Sequence, residues 1–212
     1  MLDQNDTEYF NLSGALAYDP CIGDFTYTQE TAVAVPYAVA NNNMLNLNST
    51  FLAELESLHQ SCGYADYVNT YLQFPPPGVQ APQNGSTSPA CDVFDMIDTA
   101  ALDVNPCFDI YEINSQCPLL WDVLSFPTQL SYEAPGAPQT YFDRADVKAA
   151  IHAPVNVNWT ICSNERVFVG HGGPQGEGDL SADPIQKVLP QVIEATNRVL
   201  IGNGDFDMII IT

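Results

Sequence analysis

Two carboxylates near the end of the sequence have the residue type and spacing for catalysis. Asp205 and Asp207 lie in the segment Gly-Asn-Gly-Asp-Phe-Asp, directly after an apolar run at 199–201. An apolar run that ends in such a loop is typical of a buried strand in an α/β sheet, and α/β proteins build their sites at these strand ends. In α/β hydrolases the triad acid occupies a loop of this kind, where it orients a histidine. The alternative is a simple Asp-containing turn.

The three histidines give weaker indications of a catalytic role than the two aspartates do. We expect His59 to be solvated or to cap the end of a helix, and His152 to lie in the last turn of another helix. His171 opens His-Gly-Gly-Pro, which is similar to the oxyanion loops of esterases. That motif normally precedes the nucleophile, whereas this copy lies late in the chain. A mobile Gly-rich loop is therefore the preferred interpretation of the segment around His171.

No complete catalytic set is present in the 212 residues. The sequence contains no Gly-x-Ser-x-Gly, and its Gly-rich segment at 170–178 lacks the Gly-Lys-Ser/Thr of phosphate loops. The cysteines and histidines do not show zinc-site spacing. We therefore expect neither a metal nor a cofactor, and we expect this chain by itself to be inactive.

The charge balance narrows the possible partners. Five Lys and Arg residues stand against 26 Asp and Glu residues, for a net charge of −21. Nucleic acid and anionic membranes both require Lys and Arg, so neither is an expected partner. The acidic residues are dispersed among apolar ones, which favours a globular protein suited to acidic surroundings. No apolar run of transmembrane length occurs.

Cysteines and glycosylation sequons together point to the secretory pathway. An even number of cysteines with five Asn-x-Ser/Thr sequons and little lysine is typical of a secreted or vacuolar glycoprotein with disulfides. Cys107 could close a short ring with Cys117, and Cys62 could pair with Cys91 to staple the helical part of the chain, although the sequence does not fix the pairing. The disulfide candidates are Cys21, Cys62, Cys91, Cys107, Cys117 and Cys162, and the glycosylation candidates are Asn5, Asn11, Asn48, Asn84 and Asn158.

Hydrophobic periodicity predicts an α/β architecture with a helical insertion. Ser49 or Thr50 is the expected cap of the second helix, Pro36 could kink or divide the first, and Pro184 suits the first turn of the last. Strands are predicted at 9–19, 166–169 and 198–201, and helices at 29–43, 49–61, 64–74, 91–105, 141–153 and 183–196, with a Pro-rich loop at 75–90.

Four segments, in order along the chain, resemble the serine carboxypeptidases, in particular their fungal secreted or vacuolar members. The segments are Asn-Pro-Cys-Phe-Asp-Ile-Tyr-Glu-Ile at 105–113 with Cys-Pro at 117–118, Tyr-Phe-Asp-Arg-Ala-Asp-Val-Lys-Ala-Ala-Ile-His-Ala-Pro at 141–154, Trp-Thr-Ile-Cys-Ser at 159–163, and Arg-Val-Leu-Ile-Gly-Asn-Gly-Asp-Phe-Asp-Met at 198–208. The resemblance extends over about 105–212 and more loosely over 9–30.

This resemblance implies a partial α/β-hydrolase fold with a mainly helical cap. The hydrolase core would comprise residues 1–30 and 105–212, and the cap residues 31–104. Asp207 would be the triad acid and Asp205 a supporting loop residue. The implied reaction is Ser–His–Asp hydrolysis that releases C-terminal amino acids from peptides.

The family's nucleophile segment would precede this chain and its histidine segment would follow it. We therefore expect an internal part of a longer protein. One alternative is a relative that uses the same triad for acyl transfer or as a lyase, and another is a non-catalytic secreted glycoprotein of the same fold. Residue preference and oligomeric state do not follow from the sequence.

Overall fold

The structure, a computed structural model, describes residues 11–23, 26–79, 88–117, 140–159 and 184–211. The chain forms two compact units. The first contains residues 1–106, 110–114 and 182–212, and the second contains residues 107–109 and 115–181. The predicted division into hydrolase core and cap stays a prediction, and the predicted strand at 166–169 lies outside the described residues.

Two parallel strands of the first unit lie next to the loop that contains Asp205 and Asp207. Strand β1 (Ala15–Tyr18) pairs with β2 (Val199–Gly202), with Ala15 opposite Val199. The predicted strand at 198–201 is confirmed, whereas the one at 9–19 is confined to β1 among the described residues. Parallel pairing across this sequence distance is characteristic of α/β proteins and agrees with the predicted α/β class.

A tyrosine ring packs closely against a glycine at the end of the sheet. A Cβ at Gly202 would lie 2.7 Å from Cε1 of Tyr18, its partner in the register. Any side chain there would force the tyrosine ring away from the strand. Gly202 therefore allows the Tyr18 ring to lie against the end of β2.

A small-residue helix forms the centre of the first unit. A π-helical turn (Thr26–Thr31) continues into α1 (Ala32–Ala40), which is followed by α2 (Asn42–Leu45). Pro36 does not divide α1, which continues through the proline and ends where Asn41 leaves helical geometry. Ala32, Ala34 and Ala38 are fully buried, which lets neighbouring helices approach α1 closely.

Three further helices surround α1. They are α3 (Ser49–Ser61), α4 (Tyr64–Tyr71) and α5 (Val93–Val104), and each packs against α1. The expected cap of α3 is wrong by one or two residues, since the Asn48 side chain accepts the hydrogen bond from the Phe51 amide at 2.9 Å. Helix α5 buries Val93, Ile97 and Ala101 at helical spacing.

Two disulfides join the predicted cysteine pairs. Cys62–Cys91 connects the end of α3 to the segment before α5, within the first unit, and Cys107–Cys117 closes a short ring within the second. Cys21 is exposed and forms no disulfide among the described residues. The remaining candidate, Cys162, lies outside the described residues.

The predicted helix at 141–153 is wrong in its extent. A 3₁₀ turn (Tyr141–Asp143) is followed by α6 (Ala145–Ala150), because Arg144 between them is extended. The Asp143 carboxylate accepts hydrogen bonds from Lys148 Nζ at 2.8 Å and from the Trp159 amide at 2.7 Å. The lysine hydrogen bond is the main reason that the pKa of Asp143 is lowered. These contacts fold the segment back on itself.

The helix before β2 starts later than predicted. Helix α7 (Val188–Thr196) begins after a turn at 184–187, because Lys187 has non-helical backbone angles. Pro184 therefore precedes the helix, and its carbonyl accepts a hydrogen bond from the Leu189 amide at 2.7 Å. Within the described ranges, no helix has the length and apolar character needed to cross a membrane.

Candidate active-site loop

The loop after β2 holds the two predicted carboxylates in different surroundings. The Asp207 amide donates to the carbonyl of Gly204 at 3.2 Å, which closes a turn around Asp205 and Phe206. Asp205 is exposed, whereas Asp207 is half-buried. The structure therefore distinguishes the two aspartates by solvent exposure, and Asp207 is the one whose carboxylate faces the protein.

Backbone amides fix the orientation of the Asp207 carboxylate. Its Oδ1 accepts hydrogen bonds from the Ile209 amide at 2.7 Å and the Ile210 amide at 3.3 Å. Burial raises the pKa of Asp207, the two amides lower it, and the charge of Asp19 raises it. Burial is the largest influence, so the pKa of this carboxyl lies above its ordinary value.

Several contacts distant in sequence hold this loop in place. The buried side chains of Met208 and Ile210 anchor the segment beyond Asp207. Backbone and side-chain bonds attach the loop to α1, to the turn before it and to residues 110–113. They are Tyr37 Oη to the Asp205 carbonyl at 3.2 Å, the Ile113 amide to the Phe206 carbonyl at 3.0 Å, the Met208 amide to the Ile110 carbonyl at 2.8 Å, and the Ile211 amide to the Gln29 carbonyl at 2.8 Å.

Tyr37 is a neutral hydrogen-bond donor in this environment. Burial raises the pKa of its phenol, and the charges of Asp207 and Asp205 raise it further. The hydroxyl therefore keeps its proton over the physiological range. It serves as a donor to the loop backbone and does not act as a base.

The electrostatic surroundings of Asp207 are negative. The pKa of the Cys21 thiol is raised mainly by burial and then by the charges of Glu30 and Asp207. The thiol is therefore less readily ionised than that of an ordinary cysteine. A negative field favours a cationic neighbour, and the imidazolium formed during triad catalysis is such a cation. Among the described residues, no cluster of three His, Cys, Asp or Glu side chains could hold a metal ion.

The histidines that the structure describes occupy structural positions. His59 lies in the last turn of α3, as predicted, and is half-buried, with its ring centroid 6.3 Å from that of Tyr64. Burial lowers the pKa of His59. His152 follows α6 in the left-handed region, with φ of 58°, and is exposed. His171 lies outside the described residues.

Two contributors to the site were missed by the sequence reasoning. Asp19 donates its backbone amide to the Gly202 carbonyl and accepts a hydrogen bond from the Gly204 amide, while Tyr37 contacts the loop from α1. The sequence did contain a signal for Asp19, because this carboxylate directly follows a strand, as the Asp207 loop does. Tyr37 carried no comparable signal, since a tyrosine in an apolar helix usually reflects core packing.

Three of the five predicted glycosylation residues can be located. Asn11, Asn48 and Asn158 are exposed. Asn5 and Asn84 lie outside the described residues. Exposure is a condition for glycan attachment and does not demonstrate it, so the five sites stay predictions.

Comparison with known proteins identifies the family. The sequence matches the serine carboxypeptidase family over residues 1–212. It is 62% identical over 213 residues to the serine-type carboxypeptidase F of Aspergillus niger, covering all of this chain and 40% of that protein.

Two proteins of Arthroderma benhamiae are also similar over the whole chain. A probable serine carboxypeptidase is 36% identical over 214 residues, and a carboxypeptidase Y homolog is 34% identical over 212 residues. The chain spans 38% and 39% of their lengths. No solved structure matches it. Because the family match extends over the whole sequence and includes the Asp207 loop, the chain belongs to the serine carboxypeptidase family.

Proposed function

We propose that the full-length protein is a serine carboxypeptidase that releases C-terminal amino acids from peptides. In this proposal Asp207 is the triad acid, and the present chain also supplies the helical cap of an α/β-hydrolase fold. The main support is the geometry of Asp207: a half-buried carboxylate after a parallel strand, held by two backbone amides. Asp205 is exposed and has at most a supporting role.

The proposed chemistry is acyl transfer through a covalent intermediate. A serine attacks the carbonyl carbon of the last peptide bond while a histidine takes the serine proton. The histidine then protonates the departing amino group, and water hydrolyses the resulting acyl-enzyme. Asp207 would orient the imidazole and stabilise its cationic form. The serine and histidine would come from other parts of the full-length protein.

The proposal extends to substrates and to location. Peptide C-termini are the expected substrates, with the cap at 31–104 shaping the cleft. The exposed sequons and the two disulfides are consistent with a secreted or vacuolar glycoprotein. The net charge of −21 gives no support for binding to nucleic acid.

The experiment compares a peptide with a free C-terminus and the same peptide amidated at its C-terminus, both blocked at the N-terminus. We expect the full-length protein to release the terminal amino acid from the free peptide and to act far more slowly on the amide. Transfer of an acyl group to an added acceptor without net hydrolysis would instead identify an acyltransferase. Absence of any reaction would favour the non-catalytic glycoprotein.

A further inference from the structure

Asp19 connects strand β1 to the loop that carries Asp207. It follows β1 directly and adopts the left-handed region, with φ of 47°, which aspartate tolerates better than most residues. Its backbone amide donates to the Gly202 carbonyl at 2.8 Å, and its Oδ1 accepts from the Gly204 amide at 2.9 Å. Asp19 thus forms hydrogen bonds with both neighbours of Asn203, Gly202 and Gly204, at the point where the chain leaves β2.

These bonds lie one step from the proposed triad acid. The Gly204 carbonyl accepts the hydrogen bond from the Asp207 amide at 3.2 Å. The Gly204 amide is therefore hydrogen-bonded to the Asp19 carboxylate, and the Gly204 carbonyl is hydrogen-bonded to the Asp207 amide. Without the Asp19 carboxylate, the Gly204 amide would lose this partner, and the turn that presents Asp207 would be less constrained.

We propose that Asp19 is a positioning residue for Asp207: its carboxylate fixes the Gly204 amide, and its negative charge acts on the Asp207 carboxyl. This inference rests on the proposed function of Asp207. The charge of Asp19 is among the influences that raise the pKa of Asp207, after burial. Among the described residues, the charge of Asp207 in turn raises the pKa values of Tyr37 and Cys21, to which Asp205 and Glu30 respectively also contribute.

The test uses the full-length enzyme with Asp19→Ala, Asp19→Asn, Asp207→Asn and the double variant Asp19→Ala/Asp207→Asn. Asp103→Ala, at an exposed position of α5, is the matched control. Asp19→Ala should lower kcat on the order of tenfold with little change in KM, because small displacements of a catalytic group are costly. Asp19→Asn should retain most of kcat, because the amide oxygen still accepts a hydrogen bond from Gly204.

A mutant cycle separates positioning from general stability. In the Asp207→Asn background, Asp19→Ala should lower kcat by less than about twofold, since the group it positions has already lost its role. Equal fold losses in both backgrounds, or an Asp19→Asn loss as large as that of Asp19→Ala, would overturn the inference. Normal kcat for Asp207→Asn alone would overturn the proposed function and this inference with it.

The pH profile decides the question if Asp19→Ala does not fold. Removing the negative charge in Asp19→Asn stabilises the ionised Asp207 carboxylate and destabilises a cationic histidine beside it. Both effects move the acid limb of kcat/KM to lower pH, whichever group governs that limb. An acid limb that stays in place or moves to higher pH would overturn the inference.

Discussion

At the scale of single residues, the Asp207 carboxyl experiences opposing influences. Burial and the charge of Asp19 favour its protonated form, whereas the amides of Ile209 and Ile210 favour the carboxylate. The net effect in this chain is a raised pKa. An imidazolium beside the carboxyl would lower that pKa, because an opposite charge favours the ionised form. The half-buried site is thus suited to a carboxylate that works with a cation.

Tyr37 offers a test of how the loop is held. Tyr37→Phe removes the hydroxyl that donates to the Asp205 carbonyl at 3.2 Å. We expect the free energy of unfolding of the full-length protein to fall by about 1 kcal/mol, the usual cost of losing one hydrogen bond. Urea denaturation measures this change.

Tyr71→Phe is the matched control for the Tyr37 variant. Tyr71 lies on α4 and contacts the Tyr67 ring, and its hydroxyl makes no hydrogen bond among the described residues. The control should change stability by less than about 0.5 kcal/mol, as most substitutions away from specific contacts do. Equal effects of the two variants would show that the Tyr37 hydroxyl does not hold the loop.

At the scale of elements, the start of α3 depends on one side chain. Asn48→Ala removes the hydrogen bond from the Phe51 amide to the cap, and we expect a loss of about 1 kcal/mol in the free energy of unfolding. Asn48 also belongs to a sequon, so the variant would remove any attached glycan. Thr50→Ala destroys the same sequon and leaves the cap, which separates the two effects. A loss as large in Thr50→Ala as in Asn48→Ala would contradict the capping role.

Local patterns predicted the helices around α1 well. Apolar residues at helical spacing located α3 and α5, and α4 lies within the helix predicted before the Pro-rich loop. The two disulfides join cysteine pairs that the sequence suggested without fixing the pairing. The cap of α3 was misplaced because Asn48 and its neighbours Ser49 and Thr50 are all good capping residues. The backbone conformation determines which of the three residues caps the helix, and no local sequence pattern predicts that conformation.

Tertiary contacts that local patterns do not reveal accompany the error at residues 141–153. Residues 141–153 have a helical pattern, yet hydrogen bonds from Lys148 and Trp159 to Asp143 accompany a break at Arg144. At the site, a strand followed by an Asp-rich loop pointed to Asp205 and Asp207 together, and the preference for Asp207 came from the resemblance to the family. The contacts of Tyr37 and Asp19 to that loop span 168 and 185 residues of sequence, and local periodicity carries no information about them.

At the scale of the whole molecule, acidic side chains make folding sensitive to pH. Burial is the largest cause of raised pKa values at Glu30, Asp95, Asp98 and Asp207. A carboxyl whose pKa is higher in the folded state stabilises that state at acidic pH, and this contribution is lost as pH rises through the folded-state pKa. The net charge of −21 adds self-repulsion at neutral pH.

We therefore expect the full-length protein to have a higher Tm at pH 5 than at pH 7. Burial lowers the pKa of His59, so this residue makes the folded state less stable at acidic pH. This single group opposes the four carboxyls. The lowered pKa of Asp143 affects stability only at more acidic pH. Calorimetry at the two pH values measures the difference. Glu30→Gln should reduce the rise in Tm, and a Tm that falls between pH 7 and pH 5 would contradict this account.

The kcat of full-length Asp207→Asn tests the account most directly. The variant preserves the shape of the side chain and removes its charge, with Asp103→Asn as an exposed aspartate control. We predict that Asp207→Asn folds normally and that its kcat for release of a C-terminal amino acid falls by up to about 10⁴-fold, the loss known for this change in a Ser–His–Asp triad. The control should keep its kcat. A folded Asp207→Asn enzyme with near-normal kcat would contradict the assignment of Asp207 as the triad acid.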